Sequence, residues 1–351
     1  MSKKQIRMRL NPEEASVVQS YREIKYQSNA MGLDDRDVHS GWLKTKEASL
    51  RFVNPNFGGG LTPEEIKESF KAEMIAYAPD YKDIIRTKKS EPHLFVLSIS
   101  DLHIGKYSYE SETRESYSVA KAVARAREAV DALLEKASGY EIDEILLLCG
   151  NDVLHVDNSF KTTTRGTAQD VDGVWHENFK AARMLFVEII EKLIQVANVH
   201  VCHVPSNHDY VMGYCLTDAL YCWFNKSNNV TFDLDMTHRK YFRYKQNLIG
   251  VSHGDGAKME QLPLLMANEA PIDWAKTKFR YVYLGHIHHK DYWKFRSGKD
   301  YQGVTVEYLR SPSAADGWHS KMGFQHAKRA VEAFLHSPSD GQVARITHNF
   351  K

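Results

Sequence analysis

From residue 93 onward, short apolar runs alternate with long amphipathic stretches, and that alternation restricts the chain to an α/β core. His93–Ser100 (HLFVLSIS), Ile142–Cys149 and Val199–Pro205 read as buried strands, because apolar residues occupy consecutive positions and leave no wet face. Residues 116–138, closed by Gly139, and 174–197 read as long helices between them, and 217–226 as a shorter one. Further strands are expected over 230–236, 239–245, 248–253 and 281–285. Hairpins are expected over 289–309, turning at Ser297-Gly298, and over 329–348, turning across Ser337–Gly341. This order predicts an α/β core that ends in antiparallel strands.

The first 90 residues differ. Asn11-Pro12-Glu13-Glu14 and Thr62-Pro63-Glu64-Glu65 each place a capping residue, then proline, then acid, which is a helix start. Asn54 to Gly60 reads as a loop, and Arg86-Thr87-Lys88-Lys89-Ser90 as a polar linker. The expected division is a mostly helical N-terminal appendage, 1–90, and one larger domain, 91–351. The appendage carries no recognisable chemistry and is the candidate surface for self-association or a protein partner.

Composition narrows the function classes. No apolar run approaches the ~18 residues that a membrane-spanning helix requires, and the N-terminal MSKKQIRMRLNPEE has no apolar segment of a secretory signal. Lys plus Arg (46) nearly equals Asp plus Glu (45), so a nucleic-acid surface has to be a local patch. Cys149, Cys202, Cys215 and Cys222 show no C-x-x-C spacing, and read as reduced thiols of a cytoplasmic protein. The 17 histidines are the exceptional count, since imidazole is a common metal ligand and acid–base group.

Several of those histidines fall in five clusters, each at the C-terminal end of an apolar run, where open α/β sheets form their ligand crevices. They are Ser100-Asp101-Leu102-His103, Gly150-Asn151-Asp152, Ser206-Asn207-His208-Asp209, His253-Gly254-Asp255 and Gly285-His286-Ile287-His288. Asp101 and His103 are two residues apart, as are His286 and His288, and on extended backbone such pairs share one face. Taken singly, each cluster is an ordinary turn. Together they bring acids and imidazoles to one sheet edge, where uncompensated burial is costly unless a cation neutralises them. Carboxylate, imidazole and amide oxygen without thiolate suit Mn²⁺ best, with Fe²⁺ or Zn²⁺ as alternatives.

The set Asp-x-His, Gly-x-Asp, Asn-His-Asp, His-Gly and Gly-His-x-His, in that order from about residue 94 to 289, resembles the signature blocks of the calcineurin-like metallophosphoesterases. The resemblance implies a four-layer αββα sandwich with two divalent metal ions. It implies Asp101, His103 and His288 on one metal, Asn207, His253 and His286 on the other, and Asp152 bridging both. His208 is implied as the catalytic group that faces the substrate. The chain departs from the usual pattern twice: Asn151 precedes the second-block acid, and Ser206 opens the third block where glycine is usual. Neither is a ligand position.

For the substrate, Gly150-Asn151-Asp152-Val153-Leu154-His155 differs from the protein Ser/Thr phosphatase pattern and is closer to the SbcD-type DNA repair nucleases. His155 is a candidate substrate-binding residue, with a supporting hydrogen bond as the alternative. The polar loop Asp157–Asp172 follows a ligand position, and its Lys161 and Arg165 are candidate contacts to a phosphate backbone. Basic and aromatic residues interleave over 238–245, 276–281 and 290–296; they suit nucleic acid, or are strands with a wet face. The expected activity is therefore a metal-dependent phosphodiesterase of nuclease type acting on DNA. The alternatives are an enzyme for a small nucleotide, and a scaffold without catalysis.

Overall fold

Residues 40–44, 49–53, 78–287, 298–322 and 328–350 are described in the computed structural model. The chain divides into two compact units, Met1–Glu73 and Met74–Lys351. In the first, β1 (Ser40–Lys44) and β2 (Ser49–Val53) form an antiparallel hairpin with Ser40 opposite Val53. The helix starts expected at Asn11 and Thr62 and the loop at 54–60 lie outside the described residues.

In the second unit, β3 (Pro92–Ser98), β4 (Glu141–Gly150), β5 (Asn198–Val204) and β6 (Val230–Asp233) pair in parallel. A second group contains β7 (Arg239–Tyr244), β8 (Asn247–Ser252), β9 (Phe279–Leu284), β10 (Gly298–Tyr301) and β11 (Val304–Tyr308), in the order β10-β11-β9-β8-β7. The hairpin of β12 (Ala330–Ser337) and β13 (Gly341–Asn349) returns to the first sheet, where β12 runs antiparallel to β3. The first sheet thus has the order β13-β12-β3-β4-β5-β6.

The consecutive apolar residues of β3 explain the layering. Leu94 and Val96 point one way, into a core shared with Ile249, Val251 and Tyr283 of the second sheet. Phe95 and Leu97 point the other way, under helices. Those helices follow a short turn of helix, α1 (Glu110–Thr113); they are α2 (Val119–Lys136), α3 (Trp175–Val196) and α4 (Tyr210–Trp223). Ala122, Ala126, Val130 and Leu133 of α2 and Ala182, Phe186, Ile189 and Leu193 of α3 recur at helical spacing on the buried faces. On the far side, Leu248, Val282 and Leu284 of the second sheet lie against Leu262 and Met266 of α5 (Leu262–Glu269), which α6 (Pro271–Lys276) follows. Three apolar interfaces therefore separate four layers, and the expected αββα sandwich is the fold.

Three local expectations change. Helix α4 starts at Tyr210, seven residues earlier than 217, because Asp157 Oδ1 accepts from the amides of Val211 and Met212 at 2.8 Å each. That cap comes from a distant loop and leaves no local signal. The hairpin expected to turn at Ser297-Gly298 turns at Gln302-Gly303, both at positive φ, which matches the strands' twist. The short helices α5, α6 and α7 (Gly317–Met322) had no readable period. Among the described residues, no helix is long and apolar enough to cross a membrane, and Cys149, Cys202 and Cys215 are free thiols.

Residues 78–91, expected to end in a linker, are bonded to the second unit. Tyr81 stacks on Phe224 at 5.1 Å, donates to Glu191 Oε1 at 2.8 Å and accepts from Trp223 Nε1 at 3.0 Å. Arg86 Nη1 donates to Asn198 Oδ1 at 2.7 Å.

One imidazole makes the sandwich sensitive to acid. His336 is fully buried, shares a 3.0 Å hydrogen bond with Tyr283 Oη, and has no partner at Nδ1. Burial lowers its pKa to about 3. Above pH ~6.5 the ring is neutral folded or unfolded; below it the unfolded chain takes the proton first, so stability falls as pH drops toward 3. In urea unfolding, the stability of the wild type relative to His336→Gln should fall by up to about 3 kcal/mol between pH 7 and pH 4. A pH-independent difference excludes this account.

Candidate metal centre

The clusters converge because three strand-end loops continue the pairing of their strands. Asp101 N donates to Asn151 O at 2.9 Å, His103 N to Asp152 O at 3.0 Å and Ile104 N to Val153 O at 2.7 Å. Asn151 N donates in turn to Val204 O at 2.8 Å, which ties in the third loop. Asp101, His103, Asn151, Asp152 and His286 all adopt φ between 49° and 70°. The Asp101–His103 pair therefore shares a pocket through left-handed turns, and not through the alternation of extended backbone. Left-handed backbone at non-glycine residues stores strain of about 1–3 kcal/mol each, held by the surrounding bonds. Gly150, at φ 75°, is required for close approach as well: a Cβ there meets Val204 O at 2.7 Å.

Three groups of possible ligands result among the described residues: His103, His155 and His208 form one, and the other two share Asp152. Asp101, His103 and Asp152 bring one atom each within 4.8 Å of one another, and so do Asp152, His253 and His286. Asp152 belongs to both. Its Oδ1 accepts from His208 N at 2.9 Å, and its Oδ2 lies 3.2 Å from His253 Nε2. Asn207 Oδ1 is 2.8 Å from the same His253 nitrogen, and His286 Nδ1 is 3.1 Å from it. Asp101 accepts from His286 N at 3.1 Å with either oxygen, so the first and fifth loops meet directly. Asp101, His103, Asp152 and His253 form a buried floor, Asn207 and His208 are half-buried, and His286 is exposed, so the centre opens on one side. His288 and the run 290–296 lie outside the described residues.

The donor set fits a divalent cation. His253 Nδ1 is 2.8 Å from Asn151 Oδ1 and donates to it, which leaves Nε2 facing a carboxylate oxygen, an amide oxygen and a second imidazole nitrogen. Such a convergence of lone pairs needs a proton or a metal ion at its centre. Burial opposes charge on His253, but Asp152 outweighs it and brings the imidazole up to about 9. Burial likewise favours a neutral Asp152, and His253 with His208 overcomes this to hold the carboxyl well below the ordinary range. Oxygen and imidazole ligands without sulfur match Mn²⁺, Fe²⁺ or Zn²⁺.

Both departures from the family pattern are in use. Asn151 orients His253. Ser206 Oγ accepts from Asp152 N at 2.8 Å and donates to Asp209 Oδ1, which also accepts from Asp152 N at 3.3 Å. Asp209 Oδ2 accepts from Leu154 N at 2.9 Å. Asp209 thus clamps the second loop, while the His208 ring is held by His155, whose carbonyl accepts from His208 Nδ1 at 2.9 Å. Asp209, Asn151 and Ser206 carry no motif signal as supports. His155 is buried, 3.4 Å from His103 Nδ1 through its own Nδ1, and burial keeps it well below its ordinary pKa. The ring is buried beside His103 and His208, with which it offers a further group of converging imidazole nitrogens.

The loop 157–172 is ordered by its own turns and pinned to the centre. Thr164 N donates to Asn207 O at 3.1 Å, and Asp172 N to Gly105 O at 2.8 Å. Lys161 and Arg165 are exposed on it, without an ion pair among the described residues. The cations of β7 are committed elsewhere: Arg239 to Glu269 at 2.5 Å, Lys240 to Asp233 at 2.7 Å and Arg243 to Asp273 at 2.8 Å. Arg280 lies 4.0 Å from the Trp274 ring and donates to the Thr277 carbonyl at 2.6 Å. Arg239, Lys240, Arg243 and Arg280 of these two runs are thus engaged within the fold, while Lys245, Lys276 and Lys278 are exposed.

No protein-family model and no curated protein matches the chain. Among solved structures, a single-site mutant of Vps29 from Entamoeba histolytica aligns over 73% of this chain and 99% of its own, at 12% identity and a TM-score of 0.29. Vps29 of Chaetomium thermophilum aligns over 73% and 97%, at 9% identity and a TM-score of 0.30. The sulfate thiohydrolase SoxB of Thermus thermophilus, in complex with glycerol, aligns over 76% and 58%, at 8% identity and a TM-score of 0.30. These likenesses are too slight to assign a family or an activity.

Replacing Asp209 removes acceptors from buried amides of the second loop. Asp209→Ala should destabilise the fold by roughly 2–4 kcal/mol in denaturant unfolding, the cost of leaving such donors unpaired. A loss under ~0.5 kcal/mol means that the clamp is dispensable.

Proposed function

We propose that this chain is a binuclear-metal-dependent hydrolase of phosphodiesters. The carrying observation is Asp152, shared by two ligand groups at an opening in the sandwich. In this reading Asp101, His103 and His288 would hold one ion and Asn207, His253 and His286 the other, with Asp152 shared by both groups; the chemistry supplied there would be Lewis-acid stabilisation of phosphoryl oxygens and acidification of water. The residues' own part is to bind, orient and move a proton. His208 Nδ1 is occupied by the His155 carbonyl, which leaves Nε2 to deliver a proton to the departing oxygen. The half-buried position of His208, between the floor and the exposed His286, suits a group that meets substrate.

Asp152→Ala should remove activity toward bis-p-nitrophenyl phosphate in Mn²⁺ together with at least one bound ion, measured by elemental analysis. His208→Ala should keep its metal and lose roughly 10²–10⁴ in rate, the range for a general acid–base group. Two ions retained by Asp152→Ala, or metal lost with His208, overturn these roles.

We further propose that the substrate is DNA, contacted by Lys161 and Arg165. Their exposure and the anchoring of their loop to Asn207 support this reading. Neutralised phosphates release counterions, so affinity for a polymer falls with salt. The double variant Lys161→Ala/Arg165→Ala should lower DNA cleavage more than turnover of bis-p-nitrophenyl phosphate and flatten the salt dependence of cleavage. The committed cations of β7 favour a second reading, a small nucleotide that needs no backbone track. Intact DNA of every form beside a consumed mononucleotide or dinucleotide selects that second reading.

A further inference from the structure

A cleft of about 530 Å³ is lined by Tyr107, Tyr109, Glu112, Lys161 and Asp170, among others. It lies next to the metal centre through the backbone. Tyr107 is four residues beyond His103, a reach of at most ~14 Å, and its amide donates to Asp170 O at 3.1 Å. The opposite wall begins six residues after His155.

The cleft presents the aromatic surface of Tyr107 and Tyr109, and a further exposed ring precedes its Lys161 in the chain. Tyr109 is 58% exposed, with its ring edge-on to Tyr107 at 4.5 Å. Phe160, the residue before Lys161, is 84% exposed. Its exposure is built in by a bonded turn. Asn158 Oδ1 accepts from Phe160 N at 3.0 Å, Asn158 Nδ2 donates to Thr162 Oγ1 at 2.8 Å, and Lys161 sits at φ 60°.

The charges say which part of a ligand fits. Glu112 and Asp170 repel a phosphate but accept hydrogen bonds from the N–H groups of a base. Aromatic rings stack on any base. We propose that this cleft is a nucleobase subsite, in which Tyr109 stacks on a base while Lys161 meets its phosphate at the rim. The subsite rests on the phosphoester reading above and specifies its substrate as a nucleotide, free or within a strand.

Calorimetric titration of the full chain with deoxyadenosine 5′-monophosphate and with deoxyribose 5-phosphate, in Ca²⁺ to slow turnover, isolates the base. The nucleotide should bind roughly tenfold or more tightly. Tyr109→Ala should narrow that ratio several-fold, and Tyr109→Phe should keep it; the ring is exposed, so the variants fold. Equal affinity for the two ligands, or a ratio that survives Tyr109→Ala, overturns the subsite. Turnover of bis-p-nitrophenyl phosphate in Mn²⁺ by the same preparation separates the two claims. Turnover without base preference removes only the subsite, and base preference without turnover removes only the hydrolase. A 12-nucleotide strand distinguishes the sources: steeply salt-dependent affinity indicates a polymer, and flat dependence a free nucleotide.

Discussion

Asp152 brings a negative charge into a place from which water is excluded, and much of the surrounding structure compensates that charge. A buried carboxylate is costly unless donors or cations surround it. Here His208 donates its amide to one oxygen and His253 faces the other, while the amide of Asp152 itself is held by Ser206 and Asp209. Three loops from β3, β4 and β5 have to stand in register for this to happen, and their backbone bonds continue the strand pairing past the strand ends. The left-handed residues at 101, 103, 151 and 152 are the conformational cost of turning those side chains into one pocket.

The sandwich supplies the rigidity. Leu94, Val96, Leu146 and Leu148 are buried against the second sheet, and Phe95 and Leu97 beneath the helices, so β3 and β4 are immobilised from both faces. The second sheet delivers His253 from the end of β8 and His286 from just beyond β9 to the same edge. Gly285 allows that delivery, since a Cβ there meets Asp101 Oδ2 at 2.9 Å and Asn151 Oδ1 at 3.0 Å.

Electrostatics outside the centre follow ordinary rules of pairing. The basic residues of β7 look like a nucleic-acid surface in the linear sequence, yet each has a carboxylate partner from α5, α6 or the end of β6. Sequence shows a cation's position along the chain but not the acid that folding brings beside it. The loop at 157–172 is the opposite case: Lys161 and Arg165 keep their exposure, and the loop that carries them is anchored to the backbone of Asn207 and Gly105.

Strand positions, the two long helices and the five clusters of candidate ligands were legible in the chain itself, because burial on both faces demands consecutive apolar residues and a cation site calls for particular side chains. The order of the clusters also marked Asp101, His103, Asp152, Asn207, His253 and His286 as one group, and they converge. What tertiary structure alone decided is how they are supported. The clamp of Asp209, the cap that Asp157 lends to α4 from a distance, the carbonyl of His155 under His208 and the orientation of His253 by Asn151 are contacts between segments far apart in sequence. Hydrogen bonds of that kind have no period and no motif, since any side chain of suitable polarity can make them once the backbone has brought it within about 3 Å.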